Sequence, residues 1–213
     1  YKKYKNKLLP KITSVKGEVH LYPTEAKVEF SGTYKMKNKT GSVIDTIHSN
    51  FNPRYPYAKY YWSINNELAQ RDSVFGWDMY VFDPPIMPGD EFFLQFEGSR
   101  SRMGFSNGGV NMTVVENGTL IFSSQIMPTF GYDPGRELSQ KRTRKKYGLK
   151  EEQDPMPAYD DPEGLKNGIL GDDADWVDYE MVISTDPDQI AITPGYLQNE
   201  WNEKGRRYFH YKM

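Results

Sequence analysis

Along the first third of the chain, apolar and polar residues alternate with a period of two. Val15, Gly17, Val19 and Leu21 fall on one side and Lys16, Glu18 and His20 on the other, until Pro23 interrupts. Ala26, Val28, Phe30, Gly32, Tyr34 and Met36 then alternate with Lys27, Glu29, Ser31, Thr33, Lys35 and Lys37, and "NKTG" closes the run as a turn. Side chains in a strand point to opposite faces in turn, so this pattern predicts antiparallel strands with one dry and one wet face. Further strands are predicted at residues 57–64, 76–82 and 91–97, the last two separated by a "DPPIMPGD" loop, and a hairpin around Asn117-Gly118. From 128 to 172 the periodicity fades into Pro, Gly, Asp and Lys, with one short helix expected in "RELSQKRTRKKYG". Strands return at 176–184, 189–193 and 206–213, the first two joined by Asp-Pro-Asp and stopped by Pro-Gly. The expectation is an all-β fold of mainly antiparallel sheets. It comprises a lead-in linker over residues 1–10, then one domain over 11–213 with a long irregular insertion at about 128–172.

Composition sharpens this picture in three places. The chain has 16 Tyr, 11 Phe and 4 Trp among 213 residues, and aromatic residues suit a pleated, half-buried surface. A net charge of −2 gives no basic footprint for nucleic acid. With no cysteine, disulfides, thiol chemistry and Cys-ligated zinc are excluded. The chain opens at Tyr1 without an initiator Met or a signal-peptide apolar region and stops inside a strand-like run, which reads as a domain cut from something longer.

Candidate chemistry is sparse. The histidines His20, His48 and His210 are far apart and lack the short-spaced pair of a His-Glu-x-x-His zinc site. No Gly-x-Ser-x-Gly elbow is present, and the Gly-rich stretch at 104–110 lacks the Gly-Lys-Ser/Thr of a phosphate loop. "KRTRKK" over 141–146 holds five basic residues, read either as a solvated helix face or as a contact for phosphate or an anionic membrane surface. Asp172, Asp173 and Asp175 are read as a solvated loop or as oxygen ligands for calcium, without the spacing of an EF-hand. Asn38, Asn111 and Asn117 each head an Asn-x-Thr triplet, read either as the glycosylation pattern of a secreted protein or as a chance recurrence of a short motif. Residue by residue, the chain shows no active site of its own.

Several segments nonetheless carry a resemblance. "VDYEMVISTDPDQIAITPGYL" resembles a strand–turn–strand segment near the end of the amino-terminal domain of the aminopeptidase N family of zinc peptidases. "MGFSNGG" is similar to that family's Gly-Phe-Tyr segment, and "PTFGYDPGREL" sits where the family has a Pro-Cys-Phe-Asp-Glu-Pro-like motif. "RRYFHYKM" looks like the strand leading toward the catalytic domain. The lead-in, the "YGL" after the basic run and "DADWVDYE" look most like a bacterial subgroup fused to the membrane segments of an ABC-type permease.

The resemblance implies a saddle-like β domain, without a cofactor of its own, packed on a missing catalytic domain. That domain would carry zinc, His-Glu-x-x-His and the Gly-x-Met-Glu-Asn loop. It implies a peptide substrate, a membrane connection only through missing segments, and a place on the periplasmic side of an inner membrane. In the family a Gln or Glu just before the Pro-Cys-Phe motif binds the substrate's free amine. Here "SSQIMPTFGY" offers Gln125, without the usual Thr-Gln-x-Glu pattern, and a simple strand-end role is its other reading. The alternative for the whole chain is a free-standing extracytoplasmic β-sandwich module binding carbohydrate or protein. It would place Trp62, Trp77, Trp176 and Trp201 on one exposed strip.

Overall fold

The computed structural model describes residues 4–51, 58–101, 113–116, 118–150, 160–162 and 175–213. Among the described residues, eleven strands form two open sheets. The first two alternating runs are β1 (Lys11–Tyr22) and β2 (Lys27–Lys37), antiparallel through a 3-10 turn at Pro23–Glu25. They are followed by β3 (Ile44–Asn50), β4 (Lys59–Trp62), β5 (Asn66–Asp72), β6 (Trp77–Ile86) and β7 (Glu91–Ser101). After the short helix α1 (Ser123–Ile126) come β8 (Thr129–Phe130), helix α2 (Lys141–Lys146), β9 (Asp178–Thr185), β10 (Tyr196–Glu203) and β11 (Arg206–Lys212).

The larger sheet runs β10-β11-β9-β1-β2-β7-β4 and the smaller β5-β6-β3-β8. β1 and β9 pair in parallel, Ser14 opposite Asp178 through His20 opposite Ser184; the other ladders are antiparallel. The fold is therefore all-β, as the alternation predicts.

The dry faces meet in a single core. Val28, Met36, Phe92, Leu94, Phe96, Met181 and Phe209 of the large sheet are almost wholly buried against Ile47, Phe82 and Ile86 of the small one. Trp62 stands between the layers, its ring centroid 5.4 Å from Tyr80, 5.2 Å from Phe82 and 6.0 Å from Phe130. Aromatic contacts at such distances stabilise by about 0.5–1.5 kcal/mol beyond area burial. At the centre of the large sheet Gly17 lies directly opposite Gly32. A Cβ on Gly32 would fall 2.6 Å from Phe96 Cζ and 2.7 Å from the Lys16 carbonyl oxygen, and one on Gly17 would fall 3.0 Å from Met181 Cε, so Gly32 makes room for the ring and Gly17 for the methionine.

Several sequence expectations change. β3, β5 and β10 carry no clear alternation, and β6 runs through Pro84 and Pro85 to Ile86, where "DPPIMPGD" reads as a loop. Residues 189–193 form no strand. They are held by the Tyr211 hydroxyl donating to the Ala191 carbonyl (3.0 Å) and by a 2.6 Å Tyr179–Thr193 hydroxyl pair. No strand flanks Asn117-Gly118 among the described residues. In the lead-in, Tyr4 packs on His48 and Trp77 of the small sheet (4.3 and 5.1 Å between ring centroids).

Two outcomes follow from the core. Gly32→Ala should cost about 1–3 kcal/mol in urea unfolding, because neither the Lys16 carbonyl nor the packed Phe96 ring can withdraw. Gly41→Ala, where a Cβ meets nothing within 4 Å, should change stability by less than about 0.5 kcal/mol. Burial, seconded by the nearby Asp78 carboxylate, pushes the Tyr80 phenol up, and burial does the same to Tyr60. Their folded-state values thus exceed the unfolded ~10, so the stability they lend is full below about pH 10 and falls above it. Tyrosinate absorbance should show these two phenols ionising only as the protein unfolds; their early ionisation in the folded state would contradict it.

Candidate functional site

The segment 118–136 turns through α1 and joins the small sheet through β8. Ile126 is buried and Met127 N–H donates to the Ser123 carbonyl (2.7 Å), which closes the one-turn helix. The Tyr34 hydroxyl donates to the Pro128 carbonyl (3.3 Å), and β8 pairs Ser49 with Phe130 and Asn50 with Thr129. Beyond β8, Gly131 N–H donates to the His48 carbonyl (2.8 Å) and Asn50 Nδ2 to the Gly131 carbonyl (2.8 Å). Gly131 has φ +79°, and a Cβ there would strike Leu9, so the position requires glycine.

Gln125 sits on α1, exposed, at the rim of a cleft of about 440 Å³ between the two sheets. Its Oε1 accepts the Phe122 N–H at 2.9 Å. A backbone N–H can only donate, so this bond fixes the amide's orientation, with Oε1 toward the backbone and Nε2 on the opposite side. Among the described residues nothing accepts from Nε2.

The cleft is also lined by Tyr60, Arg100, Arg136, Asn50 and the rings of Phe51 and Phe75. Arg136 works as a clamp. Nη1 donates to the Phe75 and Gly76 carbonyls (2.9 and 2.7 Å), Nη2 to the Phe51 carbonyl (3.2 Å) and Nε to Asp133 (3.3 Å). It therefore ties the turns after β3 and before β6 to the segment after β8. Arg100 is half-buried near the end of β7, opposite Val28, on the face that carries Phe92, Leu94 and Phe96.

On the other side of the 120–127 segment lies a larger groove, about 820 Å³, floored by Val19, Met181 and Ile183. Its rim shows Leu120, Phe122, Ile190 and Ile192 at 71, 62, 68 and 80% exposure. Together these side chains form an apolar patch beside the Gln125 cleft, and contiguous apolar surface marks an interaction site.

The other residues singled out in the sequence lie elsewhere. His48 is buried, stacked on Trp77 at 4.9 Å. His20 Nδ1 is 2.8 Å from Ser184 Oγ, and His210 Nε2 is 3.1 Å from Glu180. Among the described residues no group of three His, Asp or Glu converges on a metal position. In the basic run Arg144 is buried, donating to the Lys150 and Leu138 carbonyls (both 2.8 Å), while Lys141, Arg142, Lys145 and Lys146 are exposed.

Asp175 pairs with Lys39, whereas Asp172, Asp173, the 104–110 stretch, Asn111 and Asn117 lie outside the described residues. Asn38 is fully buried, its amide donating to the Ser42 and Ile86 carbonyls (2.9 and 3.1 Å), so it is not presented for glycosylation. The four Trp do not share a strip. Trp77 is buried, Trp62 stands between the sheets, Trp201 stacks on Tyr208 at 5.1 Å, and Trp176 is 95% exposed.

Arg136 and Arg100 were not foreseen. The Asp-Pro-Gly-Arg turn signals the first, since Asp133 Oδ1 accepts the Gly135 N–H at 2.8 Å; nothing in the sequence signals the second. Arg136→Ala should remove the donors to three carbonyls and lower stability by about 2–4 kcal/mol, measured by urea unfolding. Arg136→Lys should recover only part of this, because an ammonium cannot reproduce the planar fork; full recovery would show that charge alone is needed.

No protein-family model matches the chain, and no curated protein matches it. Among solved structures it is similar to an M1 zinc metallopeptidase variant from Deinococcus radiodurans, at 9% identity and a TM-score of 0.51 over 95% of this chain. An M1 zinc metallopeptidase structure from the same organism is similar at 10% identity and a TM-score of 0.49. This chain spans 38% of the length of each of those proteins. At that identity the first likeness shows a shared fold.

Proposed function

We propose that the chain is a non-catalytic β domain of an M1-type zinc aminopeptidase, one that walls the substrate cleft and helps position the terminal residue of a peptide. The observation that carries this reading is the fold likeness over 95% of this chain against 38% of the metallopeptidase chain. The order of the segments that resemble the aminopeptidase N family supports it, as does the apolar groove beside Gln125. The described residues do not fit a zinc site, since His20, His48 and His210 are held in three separate settings. On this reading zinc and its activated water belong to a companion domain, and no step of the chemistry is assigned to this chain.

Its contribution is positioning. A sheet-backed segment holds a polar side chain at a fixed place, so substrate binding energy orients the scissile residue. Leu120, Phe122, Ile190 and Ile192 are the surface offered to the companion domain. The permease-like connection and an extracytoplasmic, periplasmic-side location rest on the resemblance of the lead-in, "YGL" and "DADWVDYE"; no helix among the described residues is long and apolar enough to cross a membrane.

Two measurements test the reading. The gene should encode His-Glu-x-x-His within roughly a hundred residues after Met213, and its absence would remove the zinc-peptidase assignment. The 213-residue chain itself should neither bind zinc stoichiometrically nor release amino acids from aminoacyl substrates. With a companion domain in hand, Ile192→Glu should weaken association about tenfold or more while leaving the chain's own melting point unchanged. Undiminished association would mean that another face docks.

A further inference from the structure

We propose that the solvent-facing side of the large sheet carries a site for a neutral saccharide, in a trough centred on Ser31 and Thr33 and walled by Gln95 and Tyr61. The trough lies on the face opposite the core, and the inference stands independently of the peptidase reading.

The trough originates in the sequence of β2. Its outward positions run Lys27, Glu29, Ser31, Thr33, Lys35 and Lys37, with long charged side chains at both ends and two short ones between. Neighbouring strands stand in register with this notch. Glu18 and Lys16 of β1 lie opposite Ser31 and Thr33 on one side, and Glu97 and Gln95 of β7 on the other. Glu180 of β9 and Tyr61 of β4 extend the row outward, opposite Lys16 and Gln95 respectively. Long side chains around short ones enclose a depression of about 430 Å³, within the range of small-ligand pockets. It crosses the sheet from β9 to β4, four strand intervals or roughly 19 Å, which suits an extended oligosaccharide.

The notch differs from the rest of β2 in its uncommitted polar groups. Lys27 pairs with Glu29 at 2.7 Å, and Lys35 and Lys37 pair with Glu91 at 2.7 and 3.1 Å. By contrast, the side chains of Ser31, Thr33 and Gln95 make no hydrogen bond among the described residues. A hydroxyl both donates and accepts, and an amide does the same through its two ends. Sugar hydroxyls also do both, so the two sets are complementary. Tyr61 adds an apolar surface at the margin. It is 51% exposed, and its hydroxyl donates to Glu97 at 3.1 Å, which holds the ring beside the trough. An aromatic body with a polar tip suits a sugar ring, which is likewise apolar on its face and polar at its rim.

Charge narrows the class of ligand. The lining holds one ammonium and three carboxylates, so an anionic chain would be repelled. Lys16 pairs with Glu180 at 3.1 Å, and Glu97 receives Lys59 at 3.5 Å as well as the Tyr61 hydroxyl. Glu18, 3.7 Å from His20 Nε2, is the carboxylate placed to accept from sugar hydroxyls, and such charge-assisted bonds are the stronger kind. A peptide that adds as a strand needs a free sheet edge, whereas β2 has β1 and β7 on its two sides. An apolar ligand would cover the hydroxyls without satisfying them.

The test uses the 213-residue chain and five hexasaccharides. Three are neutral, the hexamers of β-1,4-glucose, β-1,4-N-acetylglucosamine and β-1,4-mannose; one is cationic hexaglucosamine and one anionic hexagalacturonate. Binding is followed by calorimetry and by amide shifts. At least one neutral hexamer should bind, with shifts centred on Ser31, Thr33 and Gln95, and should bind more tightly than either charged one.

Ser31→Arg fills the notch with a long side chain placed opposite Glu18 and Glu97. Opposite charges across strands are favourable, so this variant should melt no earlier than the parent and still lose at least about tenfold in affinity. Thr33→Val keeps the shape, removes one hydroxyl and should weaken binding about fivefold. Tyr61→Ala should cost about tenfold and Tyr61→Phe less than about threefold, because the ring supplies the contact. Failure of all three neutral hexamers, tighter binding of hexaglucosamine or hexagalacturonate, or undiminished binding by Ser31→Arg overturns the proposal. Shifts confined to the Gln125 cleft overturn it as well. Absence of a downstream zinc motif bears on the peptidase reading and leaves the saccharide site standing.

Discussion

Exclusion of water from between two open sheets is the constraint on which the rest of this structure depends. Neither sheet is closed, so each has one face that must be covered, and the layer around Trp62, Tyr34, Phe82, Phe92 and Phe130 covers both. Tyr34 joins that layer to the cleft. Its ring packs against Phe96 and Phe130 at 4.9 and 6.3 Å, while its hydroxyl reaches the Pro128 carbonyl. A buried phenol needs a partner for its hydroxyl, and here that requirement fixes the peptide that follows α1. Gln125 is thereby placed by the core rather than by its own four-residue helix.

A second regularity is the use of buried and half-buried polar side chains to satisfy backbone carbonyls. Arg136 holds three of them, Arg144 two, and Asn38 two more. An unpaired backbone group costs about as much as a lost hydrogen bond when buried, so long irregular segments can pack against a sheet only where such donors exist. Asp78, 1% exposed, is neutralised by a bidentate Arg71 at 2.8 and 2.7 Å, the same solution applied to a buried charge. These contacts make the 128–150 segment part of the fold although its sequence has no periodicity.

Strands were legible where one face is dry and the other wet. β1, β2, β7 and β9 belong to the interior of the large sheet, and their alternation is clean. β5, "NELAQRD", is almost entirely exposed and polar, and β10, "YLQNEWNE", is an exposed edge as well. Charged and polar residues on an edge discourage pairing with other chains, and the same residues erase the periodic signal. β3 fails to read for the opposite reason. It lies between β6 and β8, and His48, Ser49 and Asn50 are all buried there, so polarity no longer reports exposure. Residues 189–193 alternate without a ladder partner, which is why Ile190 and Ile192 stand in solvent instead of packing in a sheet.

What the amino-acid order determined by itself was the β class, the absence of thiol chemistry, and the lack of a paired-histidine metal motif. These follow from local periodicity and from which residue types are present at all. Which polar atoms face the cleft was decided only in three dimensions. Gln125 reads in the sequence as a possible acceptor because an amide carries both an oxygen and an NH2. Only the folded turn, which aims the oxygen at the Phe122 N–H, decides which side of the amide faces away from the backbone. A side chain's chemistry is written in its residue type, but which half of that chemistry remains available depends on the hydrogen bonds that folding has already used.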